Sequence, residues 1–392
     1  MTAYLNALGV TCSLGRGKAA VAKALFDAAP HGLRWLEGWV PGRAMPVGDV
    51  IDPLPAMPAG LEHRDNRNNR LLMQAVQDIE ADVRDAIGRF GAHRVGVVIG
   101  TSTTGIEEAT RGIATRGRTG AWPGDYRYID QELGAPAAFV AEWLGLGGPA
   151  HGISTACTSG ARALLTARRL LKLNLCDAVI CGGADTLCRL AMQGFHALEA
   201  TARERCLPFS AARRGIHIGE AAAVFLMTRE PGPVTFSGGG ASSDAYHMSS
   251  PEPDGRGASE AMRAALAAAG MDAAEIDYVN LHGTATEHND AMESHAMHAV
   301  FDRAVPCSST KALTGHTLGA AGALEAAFCW LSLTDAGRRL PPHLYDGTPD
   351  PALPPLAFVA KGARLPAGRR HLMSNSFAFG GNNASLILSH SA

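Results

Sequence analysis

Short apolar runs alternate along this chain with longer stretches rich in alanine and leucine. Residues 95–100, 178–181, 222–227, 278–281 and 385–388 are apolar almost without interruption, which predicts strands buried on both faces. Between them, 69–90, 159–173, 259–269 and 318–336 carry the composition and spacing of helices. Strands alternating with helices predict α/β layering, with sheets covered by helices.

The two halves of the pattern echo each other. In the first, Ser154-Thr155-Ala156-Cys157 leads into an alanine-rich helix; in the second, Ser308 to His316 leads into Leu318-Gly319-Ala320-Ala321-Gly322-Ala323. A strand, a reactive residue and a helix, occurring twice, predict a duplicated fold with its site between the copies. Proline and glycine cluster at Arg229-Glu230-Pro231-Gly232-Pro233, which sets the expected division at 1–232 and 233–392.

Composition narrows the picture. The chain has 392 residues, 46% hydrophobic and 18% charged, with a formal charge of −2, so nothing points to nucleic acid. No run reaches the roughly 20 apolar residues of a membrane helix, and the first residues lack the charged and apolar regions of a signal peptide. Eight cysteines are scattered without a Cys-x-x-Cys pair, which fits neither a zinc site nor a disulfide framework and suits a reducing, cytoplasmic compartment.

One cysteine stands apart. Cys157 lies where an extended segment turns into a helix, with Ala156, Ser159 and Gly160 leaving room for a tight turn and a substrate. A helix N-terminus there favours the thiolate and directs backbone N–H groups at whatever the sulfur attacks. His282 ends the apolar run 278–281, at the edge of the sheet where α/β proteins bind ligands. His316 stands five positions past Lys311 at the mouth of a helix, an environment that disfavours protonation and suits a neutral donor. Lys311 has a potential partner in Glu325, whereas Asp290 and Glu293 read as capping or structural groups. Phe379-Gly380-Gly381 makes a tight loop whose N–H groups can converge on an oxyanion. A nucleophilic thiol, two imidazoles and an oxyanion loop together suggest acyl transfer through a thioester.

Four stretches in order, Thr155-Ala156-Cys157-Thr158-Ser159, His282-Gly283-Thr284, Lys311 with Thr314-Gly315-His316-Thr317-Leu318-Gly319, and Asn375-Ser376-Phe377, resemble the β-ketoacyl-acyl carrier protein synthases of the thiolase superfamily. The resemblance is to the elongating enzymes with a Cys-His-His centre and covers essentially the whole chain. It implies a thiolase-like α/β fold of two pseudo-duplicated βαβαβ halves in five αβαβα layers. Cys157 would take the acyl group, and His282 and His316 would hold the malonyl thioester carbonyl while carbon dioxide leaves. The N–H groups of Cys157 and Phe379 would form the oxyanion hole, with Phe379 also gating the chain pocket; Lys311 and Glu325 match the supporting pair. Thr284, Thr286, Phe377, Thr103 and Gly380 would contact substrate. No cofactor and no metal is implied. The implied partners are acyl- and malonyl-loaded acyl carrier protein, docking on basic residues such as Arg64, Arg67 and Arg70, and a second subunit, identical or related.

Departures from the family pattern bear on the substrate. Thr103 stands where fatty-acid enzymes carry a bulky apolar residue, suggesting a smaller, more polar wall. The stretch Arg214-Gly215-Ile216-His217 and the Asn289-Asp290-Ala291-Met292-Glu293 variant are closer to specialised pathways, such as aryl polyene synthesis. A degradative thiolase is disfavoured because its second cysteine is absent after Cys329, and a Cys-His-Asn starter enzyme because His316 is present. A non-catalytic chain-length partner would lack the nucleophile.

Overall fold

The computed structural model describes residues 2–29 and 32–390, so the outermost positions of the expected division, Met1 and Ala392, lie outside the described residues. A 12-stranded mixed sheet carries the fold. From the strand Ala3–Cys12 in one direction come Ala221–Thr228, Ala178–Asp185, Val95–Gly100 and Ala150–Ile153. Their successive pairings are antiparallel, antiparallel, parallel and parallel. From Val234–Ser243 in the other direction come Asn382–His390, His371–Ala378, Tyr278–Asn280 and Pro306–Ser308, with the same succession. The expected duplication is therefore visible in the hydrogen bonding. The two copies join where Ala3 to Leu5 pair with Val234 to Phe236.

Helices fill and cover this sheet. Ser159–Lys172 and Ala321–Thr334 pack on each other and on strands of both copies, forming the middle layer. Ala321–Thr334 is buried from Ala321 to Leu333, as an alanine-rich helix apolar on all sides must be. Arg67–Gln77 and Ala135–Leu144 cover one copy, and Arg256–Ala269 with Glu287–Val300 cover the other. That gives the five layers. Among the described residues, no helix is long and apolar enough to cross a membrane.

Local boundaries moved where packing overrode the pattern. The single helix predicted over 69–90 is two, Arg67–Gln77 and Glu80–Phe90, because the chain turns at Ile79 to bury that side chain completely. The helix predicted from 318 begins as a 3-10 turn, Leu318–Ala320. A small sheet, Leu33–Val40 with Arg43–Gly48 and Ile218–Gly219, had no counterpart in the predicted elements: its outer strand is largely exposed and lacks an apolar run.

Candidate active site

Cys157 sits on a sharp turn between the strand Ala150–Ile153 and the helix Ser159–Lys172. Ala156 takes φ +52°, a left-handed conformation that costs a residue with a β-carbon roughly 1–2 kcal/mol. Local hydrogen bonds hold the turn. Ser159 Oγ donates to the Ala156 carbonyl at 2.6 Å and accepts the Thr155 N–H at 2.9 Å, while Thr158 Oγ1 donates to the Thr155 carbonyl at 2.7 Å. Small polar side chains around the cysteine thus brace the elbow that presents it.

The second copy delivers both imidazoles to that elbow. His282 follows the strand Tyr278–Asn280, and buried Glu293 on the helix Glu287–Val300 accepts the backbone N–H groups of His282 and Gly283, each at 2.7 Å. Asp290 likewise accepts from Phe209 and Ala285, at 2.6 and 3.2 Å. Both carboxylates are turn-holding groups, as expected. His316 is pinned by a β-bridge to Ile218, its N–H donating to the His217 carbonyl at 2.7 Å. Its Nε2 lies 3.0 Å from Cys157 Sγ, and ligand atoms of Cys157, His282 and His316 all fall within 4.8 Å of one another.

Lys311 lies inside this group, ion-paired with Glu325 and donating to the His282 carbonyl. Its ammonium is 3.3 Å from His282 Nδ1. An ammonium only donates, so Nδ1 is the accepting nitrogen and Nε2 carries the hydrogen toward the site. Burial, with the Lys311 charge second, holds both histidines well below the ordinary imidazole range. This favours the neutral form of both; for His316 the sequence offered the helix end as the cause, and burial is the larger one. Burial raises Glu325 to about 7 against the opposing pull of Lys311.

The thiol corrects the sequence reading. Burial pushes Cys157 up to about 12, against the opposing charge of Lys311. The sulfur precedes the helix by two residues and is 7% exposed, so desolvation outweighs the helix end and the resting group is a thiol. Its proton must leave toward His316 Nε2 as attack proceeds.

Two cavities of ≈ 240 Å³ meet at this thiol. The first is lined by His282, Thr284, Thr286, His316, Phe377 and the unpredicted segment Ser249-Ser250-Pro251, among others. The second is lined by Thr103, Ile106, Leu190, Ala191 and Leu318, again unpredicted except for Thr103. Phe195 and Phe379, with ring centroids 5.5 Å apart, border both. Thr103 does not make its wall polar: its hydroxyl donates to the Thr186 carbonyl at 3.1 Å and accepts the Thr186 N–H at 3.2 Å. Gly380 lines neither cavity; its N–H donates to the Met248 carbonyl at 2.8 Å, a tie between two loops. No backbone carbonyl among the described residues accepts the Phe379 N–H.

The basic residues expected at a docking face are engaged within the chain. Arg64 pairs with Glu142 at 2.8 Å, Arg67 with Glu220, and Arg70 with Asp65 at 2.5 Å. Phe195 and the segment 249–251 escaped the sequence reading because nothing in their local pattern sets them apart. Loop contacts distant in sequence, Asp244 N–H to the Gly381 carbonyl and Gly380 N–H to the Met248 carbonyl, each 2.8 Å, bring that segment to the site.

Comparison with known proteins agrees with this geometry. The profile described as "Beta-ketoacyl synthase, N-terminal domain" matches residues 62–231, and "Beta-ketoacyl synthase, C-terminal domain" matches 234–344. Nodulation protein E of Rhizobium meliloti is 36% identical over 313 residues, 76% of this chain and 75% of that protein. The 3-oxoacyl-[acyl-carrier-protein] synthase 2 of Staphylococcus aureus (strain N315) is 32% identical over 334 residues, 80% of this chain and 78% of that protein. Among solved structures, the ketosynthase ApeO in complex with its chain length factor ApeC, from Xenorhabdus doucetiae, superposes with a TM-score of 0.95. It is 45% identical, over 100% of this chain and 98% of that one.

Proposed function

This chain belongs to the β-ketoacyl synthase family, and from that premise we propose that it catalyses a decarboxylative condensation: malonyl-carrier protein extends an acyl group held on Cys157 by two carbons. One observation carries the reading. A thiol and two neutral imidazoles converge within 4.8 Å at the junction of two cavities.

The chemistry follows from that arrangement. An acyl thioester entering through the first cavity passes its acyl group to Cys157: the thiol proton moves through His316 Nε2 to the carrier sulfur, which leaves as the free thiol, and His316 is neutral again. The acyl chain then lies in the second cavity. Malonyl thioester follows; with the sulfur acylated, neutral His316 takes the Nε2–H tautomer, and the Nε2–H groups of His282 and His316 polarise the malonyl carbonyl, so that carbon dioxide leaves an enolate held by two neutral donors in a dry site. The enolate carbon attacks the acyl carbonyl, the N–H groups of Cys157 and Phe379 stabilise the tetrahedral oxyanion, and the Cys157 sulfur leaves. Phe379 and Phe195 gate the passage between cavities. Lys311 and Glu325 orient His282, Thr284 and Thr286 border the arm of the carrier, and Phe377 packs edge-on to His282, with centroids 6.0 Å apart.

The partners follow from what the surface leaves free. An acidic carrier needs cations not already held by carboxylates. Among the described residues, Arg203, Arg205 and Arg214 have none, and with Glu204 they line a depression next to Ala200 of the first cavity. We assign docking to them in place of Arg64, Arg67 and Arg70. Arg203→Glu combined with Arg214→Glu should raise KM for carrier-bound substrate about tenfold, with little change for a pantetheine thioester, as steady-state kinetics will show. A second subunit fits the open edge strand Ala150–Ile153 and the exposed Ile113, Tyr128, Ile129 and Leu133 beside it in the chain. On the example of the ketosynthase–chain length factor pair, a related subunit is the partner proposed. An aryl polyene chain is the specialised product proposed from the sequence variants.

The decisive experiment loads the protein from a panel of acyl-carrier proteins and looks for the adduct on Cys157 by intact mass. Malonyl-carrier protein should then release carbon dioxide and a β-ketoacyl product. Absence of any Cys157 adduct across the panel overturns the reading.

A further inference from the structure

Asp185 ends the strand Ala178–Asp185 and is completely buried. Its Oδ1 accepts from the Thr101 hydroxyl at 2.7 Å and from the N–H groups of Ser102 and Thr103 at 2.8 and 2.9 Å. Its Oδ2 accepts from the Ser102 hydroxyl at 2.5 Å and from the Gly319 N–H at 2.6 Å. These donors belong to two loops far apart in sequence. Ser102 and Thr103 form one wall of the second cavity, and Leu318, next to Gly319, forms another. The turn that carries Leu318 also carries His316.

Upstream, His316 is fixed by its bridge to Ile218. Downstream, Leu318 takes φ +51°, a conformation that does not hold itself in place. The bond from the next residue, Gly319, to Asp185 supplies the hold. Only glycine permits it, since a β-carbon there would lie 2.6 Å from Asp185 Oδ2 and 2.9 Å from the Ser102 nitrogen. Burial raises the Asp185 carboxyl, and the hydroxyl and N–H donors around it pull the other way.

We propose that Asp185 is a positioning residue: it sets the distance from His316 to Cys157 and fixes, through the same carboxylate, the Ser102–Thr103 wall of the cavity that takes the acyl chain. The second part of this rests on the condensing reading above; the first does not.

Asp185→Asn tests it, because the amide keeps an acceptor for Thr101 while facing an N–H group toward Gly319. Alkylation of Cys157 by iodoacetamide, followed by mass, reads the His316 contact without any substrate and should slow at least about fivefold. Carbon dioxide release from malonyl-carrier protein without an acyl primer should fall at least about tenfold in kcat with KM within about twofold, a split that general loosening of the fold would not give. Loading of Cys157 from a panel of acyl-carrier proteins, read by intact mass, should shift in chain preference in the same variant. Folded Asp185→Asn protein with wild-type alkylation and release overturns the proposal. If that variant does not fold, Thr101→Val decides: it removes a donor that lines neither cavity, and wild-type rates in both assays overturn the proposal, whereas slowing of both supports it. Wild-type protein that alkylates normally yet releases no carbon dioxide refutes the condensing reading instead, and the alkylation arm still stands.

Discussion

The two cavities that meet at Cys157 have the same volume and apolar walls, but only the first, beside Leu198, Ile216 and Phe377, also carries a set of polar groups. The first presents imidazoles, threonine and serine hydroxyls and Asp244; the second presents isoleucine, leucine, alanine and a threonine whose hydroxyl is already paired. A polar, hydrogen-bonding arm fits the first and a hydrocarbon fits the second. The difference teaches that one nucleophile serves two substrates by facing two solvents. On the proposed reading, the chemistry that needs donors happens on one side of Phe195 and Phe379, and the apolar chain waits on the other.

That division can be broken from either side. Cys157→Ala leaves both cavities intact and removes the group they share, so extension measured by product mass should fall about a thousandfold or more. Unprimed malonyl decarboxylation should persist in that variant, since both imidazoles remain. His316→Ala strikes the polar side alone; decarboxylation measured as carbon dioxide release should fall about a hundred- to a thousandfold, the usual cost of losing a donor to a developing oxyanion.

Thr103→Phe strikes the apolar side alone. It should reduce loading of long acyl chains on Cys157 about tenfold or more, read by intact mass, and leave unprimed decarboxylation near wild type. If both activities fall together, the cavities are not independent. The smallest expected effect sharpens the account of the polar side. Because burial and Lys311 hold His282 and His316 below the ordinary range, both stay neutral as pH falls through the usual imidazole region. Carbon dioxide release should therefore keep both imidazole donors between about pH 6 and pH 8, and any change in rate across that window should trace to Glu325, which burial raises to about 7, and be lost in Glu325→Gln.

Much of this was legible along the chain. The buried strands 95–100 and 222–227 announced themselves as apolar runs, and the elbow at Cys157 through the small residues around it, because backbone turning and strand burial are written in neighbouring positions. The pairing of Lys311 with Glu325 was legible from their shared neighbourhood along the chain. The resting state of the sulfur was not. A helix end is local and suggested a thiolate, whereas desolvation depends on everything packed around the atom and won. The partner of Arg70, Asp65, stands only five positions away, whereas Arg64 and Arg67 looked free because their carboxylate partners Glu142 and Glu220 are distant in sequence. The polar wall expected at Thr103 failed for the same reason, its hydroxyl being satisfied by Thr186.

The sequence by itself determined the alternation of strands and helices, the duplicated pattern, and the thiol and imidazoles that the structure brings together. Tertiary structure alone decided that His316 meets a cysteine 159 positions away at 3.0 Å, that the thiol is protonated, and that Asp185 anchors two distant loops at once. The reason is range. Periodicity and turn propensity act between neighbours in the chain, while desolvation and charge pairing act between neighbours in space.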